Sequence, residues 1–214
     1  MMKSLLILVI ILMAAAAAGE NLDRIAVTVG THVIPQSEVI LALRVAAFID
    51  EVTPDFSGPQ KRKAADRLVD EYLVLTDAAA TRAPVPTPAD VEPVLAPIRA
   101  RYASDTEYRA ALERAGITEP QLKAHLLAGL QMLRYTDLRF RGEVQITEEN
   151  LREFFNTFVA ESGQKNPAEV LDFESSRDQV EKLLIDQRTS QALDRWLGIA
   201  RNETQILYRD AAFK

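Results

Sequence analysis

From Gln36 onward the apolar positions of this chain recur every three to four residues, the spacing that places them on one face of an α-helix. Val39, Ile40, Leu43, Ala46 and Ala47 predict a helix over residues 36–51. Ala65, Leu68, Val69, Tyr72, Leu75, Thr76 and Ala79 predict a second over 60–81. Val91, Val94, Leu95, Ile98 and Tyr102 form the stripe of a third, and a short helix follows over 105–115. Leu122, Leu126, Leu130 and Leu133 share one face of a fifth, with Phe140 near its end. A sixth opens at Thr147 and carries Leu151, Phe154, Phe155 and Phe158. A long last helix over 176–201 has Val180, Leu183, Leu184, Leu193, Trp196, Leu197 and Ala200 as its apolar positions.

Polar residues punctuate the middle of this series most strongly. Thr87 is followed three residues on by Asp90, Ser104 by Glu107 and Thr118 by Gln121. Each pair has the form of a capping box or its close relative, in which a hydroxyl takes an orphan N–H and the later side chain reaches back. Pro88 and Pro120 fall in first turns, where a missing N–H costs nothing. Gly116 stands where the short helix must stop, in the place suited to a left-handed residue. Alternation with a period of two marks residues 24–29, which turn at Gly30-Thr31-His32, and a second short run follows at 204–208. An isolated strand is not stable in water, so the two runs are expected to pair. The fold class predicted is mainly α: a multi-helix domain closed at its termini by two short strands and a long returning C-terminal helix. Residues 162–175, polar and holding Gly163 and Pro167, read as a linker between the helical body at 20–161 and the C-terminal segment at 176–214.

Residues 1–19 stand apart from this pattern. Lys3 follows two methionines, an apolar run reaches Met13, and Ala14 to Ala18 are small, which predicts a secretory leader cut after Ala18 or Gly19. The alternative, an uncleaved anchor, needs about 18–20 apolar residues, and the Leu/Ile/Val run is shorter. No stable membrane insertion is expected once the leader is removed. The chain of 214 residues has no cysteine, so disulfides, thiolate chemistry and Cys-based metal sites are excluded although an exported chain could use them. Its net charge of −6, with basic residues interspersed among acids, argues against nucleic acid as partner. An Ala-rich, Cys-free exported chain points to a bacterial periplasmic or secreted protein.

Four segments carry a resemblance: IAVTVGTHVIPQSEV, DRLVDEYLVLTDA, VPTPADVEPVL and GITEPQLKAHLLAGLQMLRYTDLRFRGEVQITEENL. Together they resemble the N-terminal chaperone domain of the periplasmic SurA family and its relatives, over about residues 24–155, with a further match in the last helix and strand. The last segment is the most specific, because helix start, helix length, extended link and next helix start agree together. The resemblance implies a C-terminal helix and strand that return to complete the N-terminal domain. The chain departs from the family in one respect. Members commonly carry parvulin-type prolyl isomerase domains before the returning helix, and a small domain of roughly 100 residues has no room between the sixth helix and the last. The resemblance therefore implies an ATP-independent chaperone or folding factor without isomerase activity, binding unfolded or partly folded exported polypeptides such as outer-membrane proteins. Two other functions stay open: an isomerase in its own right, and an adaptor for one folded envelope partner.

The residues themselves offer little catalytic chemistry. His32 and His125 lie on separate elements without metal-ligand spacing, and no metal or cofactor is expected. Asp70-Glu71, Glu148-Glu149 and Glu153 read as solvated helix faces or dipole-favoured first turns. There is no nucleophile elbow and no phosphate-binding glycine loop among only eight glycines. The aromatics remain. Phe48, Phe56, Tyr102, Phe140, Phe154, Phe155, Phe158 and Trp196 are the candidate peptide-binding residues, because a groove with aromatic walls holds apolar segments of no fixed sequence. For any one of them core packing is the simpler account. Phe154, Phe155 and Phe158 are the expected exposed patch, since adjacent Phe residues cannot both face one core.

Overall fold

A computed structural model describes residues 23–163 and 172–214. The predicted leader and most of the predicted linker lie outside the described residues. In chain order the elements are β1 (Ile25–Val29), β2 (His32–Pro35), α1 (Gln36–Ile49), α2 (Gly58–Ala80), α3 (Pro88–Arg99), α4 (Asp105–Ala115), α5 (Glu119–Phe140), α6 (Glu148–Gly163), α7 (Phe173–Glu203) and β3 (Ile206–Tyr208). Short 3-10 turns follow α5 and β3. The described chain is mainly helical, and its one sheet is antiparallel in the order β2-β1-β3.

The sheet closes the termini as expected. β1 pairs with β3 through Val27–Tyr208, Thr28–Leu207 and Val29–Ile206. Gly30 N–H donates to the Gln205 carbonyl at 2.8 Å and Arg209 N–H to the Ala26 carbonyl at 2.8 Å, one beyond each end of the ladder. β2 is a strand that the pattern did not separate from the turn before Pro35; Pro35 ends it and leads directly into α1. The buried face of the sheet, Ala26, Val27, Val29 and Ile34, packs on Ala64, Ala65, Val69 and Leu73 of α2 and on Val39 of α1. Trp196, Leu197 and Ala200 bring α7 back onto the same core. The chain end seals it. Ala212 and Phe213 are buried there, Gln36 Nε2 donates to the Ala212 carbonyl at 2.8 Å, and Lys61 Nζ donates to that of Lys214 at 3.0 Å. Arg201 pairs with Asp70 at 2.6 Å, and the Arg62 guanidinium lies 3.4 Å from the Tyr208 ring centre.

A second core joins α1, α3, α4 and α5 around Phe48, Val91, Leu95, Tyr108, Leu112 and Leu122. The predicted helix starts set its geometry. Thr87 with Asp90 and Thr118 with Gln121 form reciprocal capping boxes, and Ser104 Oγ accepts from Glu107 N–H while Glu107 reaches one residue further back, to Ala103 N–H. Gly116 takes φ 65°, and the next residue's N–H returns to the Leu112 carbonyl at 3.1 Å, the long bond of a Schellman end. Pro93 and Pro97 sit inside α3. Each removes an N–H that would reach four residues back, to the carbonyls of Ala89 and Pro93. Both residues are exposed, so water serves the carbonyls and the helix persists.

Three expectations need correction. The α5 stripe keeps to one face, but that face is not covered along the whole helix: Leu122 is buried, but Leu133 is 62 % exposed while Tyr135, Thr136 and Phe140 are buried. At 3.6 residues per turn Leu133 lies about 20° from Leu122, whereas Tyr135 lies about 140° away. The first half of α5 packs on the second core. Its second half packs on the opposite side, where Tyr135 meets Val74 and Ala78 of α2, with Leu193 and Trp196 of α7 beside them. The helix over 60–81 begins earlier, at Gly58, with Ser57 as its N-cap residue and a proline in its first turn. α7 likewise begins at Phe173 rather than at 176, because Asp172 caps it by accepting from Ser175 N–H at 3.0 Å. A separate small core of Leu151, Phe155, Val180 and Leu184 joins α6 to the first half of α7.

Candidate functional site

Two helix ends and one loop meet at a groove of about 660 Å³. α1 supplies Arg44, Ala47 and Phe48, the following loop Glu51 to Pro54 and Phe56, the segment after α3 Tyr102, and the end of α4 Ala111 and Arg114 to Gly116. The loop is shaped by how α1 stops. Glu51 adopts a left-handed φ of 57° and Val52 N–H returns to the Ala47 carbonyl at 3.0 Å, so α1 ends as α4 does, but without a glycine. Asp55 then accepts from Ser57 N–H at 2.8 Å, a side-chain turn that carries Phe56 across the groove mouth.

Aromatic rings line the groove in graded depth. Phe48 is 9 % exposed and forms the floor, its ring 6.1 Å from Tyr102 and nearly parallel to it. Tyr108 lies beneath both, 6.4 Å from Phe48 and 5.6 Å from Tyr102. Phe56 is 38 % exposed, with the Arg44 guanidinium 5.9 Å from its ring centre. Arginines tie the helix ends together. Arg44 donates to the Gly116 carbonyl at 3.2 Å, and Arg101 donates to the Ile49 carbonyl at 2.6 Å while pairing with Glu51 at 3.1 Å. Orphan carbonyls at helix C-termini are thereby satisfied by side chains.

Three of the eight candidate residues, Phe48, Phe56 and Tyr102, thus share one site. Of the other five, the four whose side chains are described do not join it. Phe140 and Trp196 pair at 6.2 Å between α5 and α7, with the Arg139 guanidinium 5.5 and 6.0 Å from their ring centres. Phe155 is buried, edge-on to Phe173 at 5.3 Å. It belongs to the α6–α7 core rather than to an exposed patch. Phe154, half-buried at the margin of that core, lines a second cleft of about 520 Å³ with Leu184 and Arg188. Adjacent helical positions are only about 100° apart, so one broad apolar face accommodates Phe155 fully and Phe154 partly. The side chain of Phe158 lies outside the described residues. Arg44, Arg114, Val52 and Pro54 are groove residues that the pattern did not single out. The available signal was an apolar cluster, Val52, Pro54 and Phe56, in the segment between the first two predicted helices.

A scan of protein-family models finds no match to this chain, and neither does a search of curated proteins.

The histidines lie elsewhere. His32 stacks on Tyr72 at 4.1 Å with nearly parallel rings. His125 lines a cleft of about 220 Å³ between α1, α2 and α5, together with Glu38 and Glu71. Burial pushes both carboxyls above their ordinary values and the His125 imidazole below its own; the two carboxylates also repel, which raises Glu71 further. Among the described residues no group of three or more His, Asp or Glu could hold a metal ion. No described helix is long and apolar enough to cross a membrane. The 660 Å³ groove offers ring faces, apolar side chains and guanidinium groups.

Proposed function

We propose that this chain is a periplasmic, SurA-like, ATP-independent chaperone that holds unfolded or partly folded exported polypeptides, outer-membrane proteins among them, and has no isomerase activity. The groove of Phe48, Tyr102 and Phe56 is the observation that carries the proposal. It is open, aromatic and large enough for a few side chains of an extended segment. An apolar side chain removed from water contributes about 1.5–3 kcal/mol. Two such side chains, less the cost of ordering the segment, leave binding weak and exchangeable, as holding without ATP requires. The leader-like first residues support export, and the SurA resemblance supports the client class.

The test is suppression of aggregation of a denatured outer-membrane protein by the mature chain at fixed pH and salt. Suppression near stoichiometric amounts is expected, with no turnover of a proline-containing peptide above background. A folded protein that fails to suppress, yet pulls down one folded partner stoichiometrically, would make it a dedicated adaptor instead.

A further inference from the structure

The charges on the groove wall are unbalanced, and the imbalance bears on what it takes. Arg44 and Arg114 both line it, and neither has a carboxylate partner among the described residues. Glu51 is the acid on the wall, and Arg101 already holds its carboxylate at 3.1 Å. The two helix C-termini that end here, those of α1 and α4, carry about −0.5 charge each. Against two guanidinium charges they leave the lining positive by about one unit; the Asp55 carboxylate, on the same loop but outside the lining, accepts from Ser57 N–H. That local excess stands on a chain whose net charge is −6.

Arg44 is also held in place. One N–H is spent on the Gly116 carbonyl and the guanidinium carbon lies 5.9 Å from the Phe56 ring centre, while a guanidinium has five donors in a fixed fork. The remaining donors are oriented before any ligand arrives. Arg114, exposed in the last turn of α4, supplies a second cation on the same wall. A carboxylate entering beside the aromatic rings would be partly shielded from water, where charge-assisted hydrogen bonds strengthen. A lysine in the same place would meet uncompensated like charge.

We infer that the groove selects polypeptide segments in which a carboxylate neighbours an aromatic side chain, the carboxylate going to Arg44 and Arg114 and the ring to Phe48, Tyr102 and Phe56. The inference rests on the peptide-holding proposal and sharpens it from "apolar" to "acidic and aromatic". The carboxylate is that of an Asp or Glu side chain of the bound segment.

The experiment is fluorescence anisotropy of the full mature chain with labelled twelve-residue peptides, identical but for one position: two phenylalanines flanked by Asp, by Asn or by Lys, each amidated. A fourth peptide, flanked by Asn, has a free C-terminal carboxylate beside the second phenylalanine. The Asp peptide is expected to bind about tenfold more tightly than the Asn peptide at low salt, the worth of one charge-assisted hydrogen bond, and the gap closes as salt rises. The free-terminus peptide is expected to bind like the amidated Asn peptide; binding as tight as that of the Asp peptide would overturn the assignment to side chains and make the segment's C-terminus the ligand. In Arg114→Gln, and again in Arg44→Gln, the Asp-to-Asn ratio falls toward one, and in Arg114→Glu the Lys peptide overtakes the Asp peptide. Arg114 is exposed, so its variants keep the test valid even if Arg44→Gln loosens the α4 end, which a melting curve shows. Equal binding of the charged and neutral peptides to the unmutated chain overturns the charge selection and leaves peptide holding intact. No binding of any peptide by the folded chain overturns both.

Discussion

Phe155→Ala separates the α6–α7 arm from the rest of the molecule. Phe155 is 9 % exposed, its ring edge-on to Phe173, within a core whose other buried members among the described residues are Leu151, Val180 and Leu184. Truncating a buried Phe costs about 3–5 kcal/mol, including about 0.5–1.5 from the edge-on ring pair. The polar ties between the same helices are exposed: Arg177–Glu148 at 3.1 Å and Arg152–Glu174 at 3.7 Å. Each such pair is worth up to about 1 kcal/mol, so they do not replace the lost core. The loss should therefore appear as local opening. In hydrogen exchange read by mass spectrometry, peptides covering α6 and the first half of α7 should exchange faster by about two to three and a half orders of magnitude, at 1.4 kcal/mol per decade. Peptides covering β1, on a different core, should keep their protection. Unchanged protection of α6 would refute the burial argument. Loss of protection in β1 in step with α6 would refute the independence of the arm.

Other substitutions test the remaining parts. Phe56→Ala, at an exposed ring, should lower peptide affinity several-fold while the melting temperature stays within about 2 °C, since an exposed contact costs about 0.5 kcal/mol or less; a large drop in melting temperature would make Phe56 structural. Gly58→Ala would place Cβ 2.6 Å from the Phe213 carbonyl oxygen, so the terminal seal must shift. A loss of about 1–3 kcal/mol is expected in chemical denaturation, against the gain of about 0.5–1 kcal/mol that the same change gives in an open helix, and any gain refutes the close approach. Glu71→Gln should stabilise at pH 7. Burial raises the folded Glu71 carboxyl above its ordinary 4.5, so the folded state holds the proton more tightly and wild-type stability falls as pH rises through the raised value. The advantage of the variant in melting temperature should shrink as pH falls toward 4.5, and an advantage independent of pH would remove the desolvation argument.

Local rules made the helical frame legible, and tertiary packing decided what they left open. The capping pairs at Thr87, Ser104 and Thr118, and the left-handed Gly116, act within four residues, so the sequence shows them directly. The pairing of β1 with β3 followed from the instability of a lone strand, a physical requirement rather than a pattern. Leu133 was misplaced because periodicity reports which residues share a face, not whether a neighbour covers that face along the whole helix. Phe155 was misplaced by treating an apolar face as one residue wide. The groove was half legible: its rings were among the candidate aromatics, but Arg44 and Arg114 look in sequence like any other charges on a helix. Only the meeting of the α1 and α4 ends gives them a shared wall.

The three groove rings also divide between stability and recognition in a way that follows from their depth. Phe48 serves both, because the ring that floors the groove is also a member of the second core with Val91, Leu95 and Tyr108. Its truncation would cost about 3–5 kcal/mol, so a loss of binding there would say little about the groove. Tyr102 is intermediate, packed against that core at its edge. Phe56 stands outside it, on a loop held by Asp55 and by the left-handed end of α1 rather than by packing. A surface that must accept varied segments needs a rigid floor and a wall that yields, and this order of depth provides both. The arginines follow the same division: Arg101 closes the helix end and spends its charge on Glu51, whereas Arg44 closes the other end and keeps donors to spare.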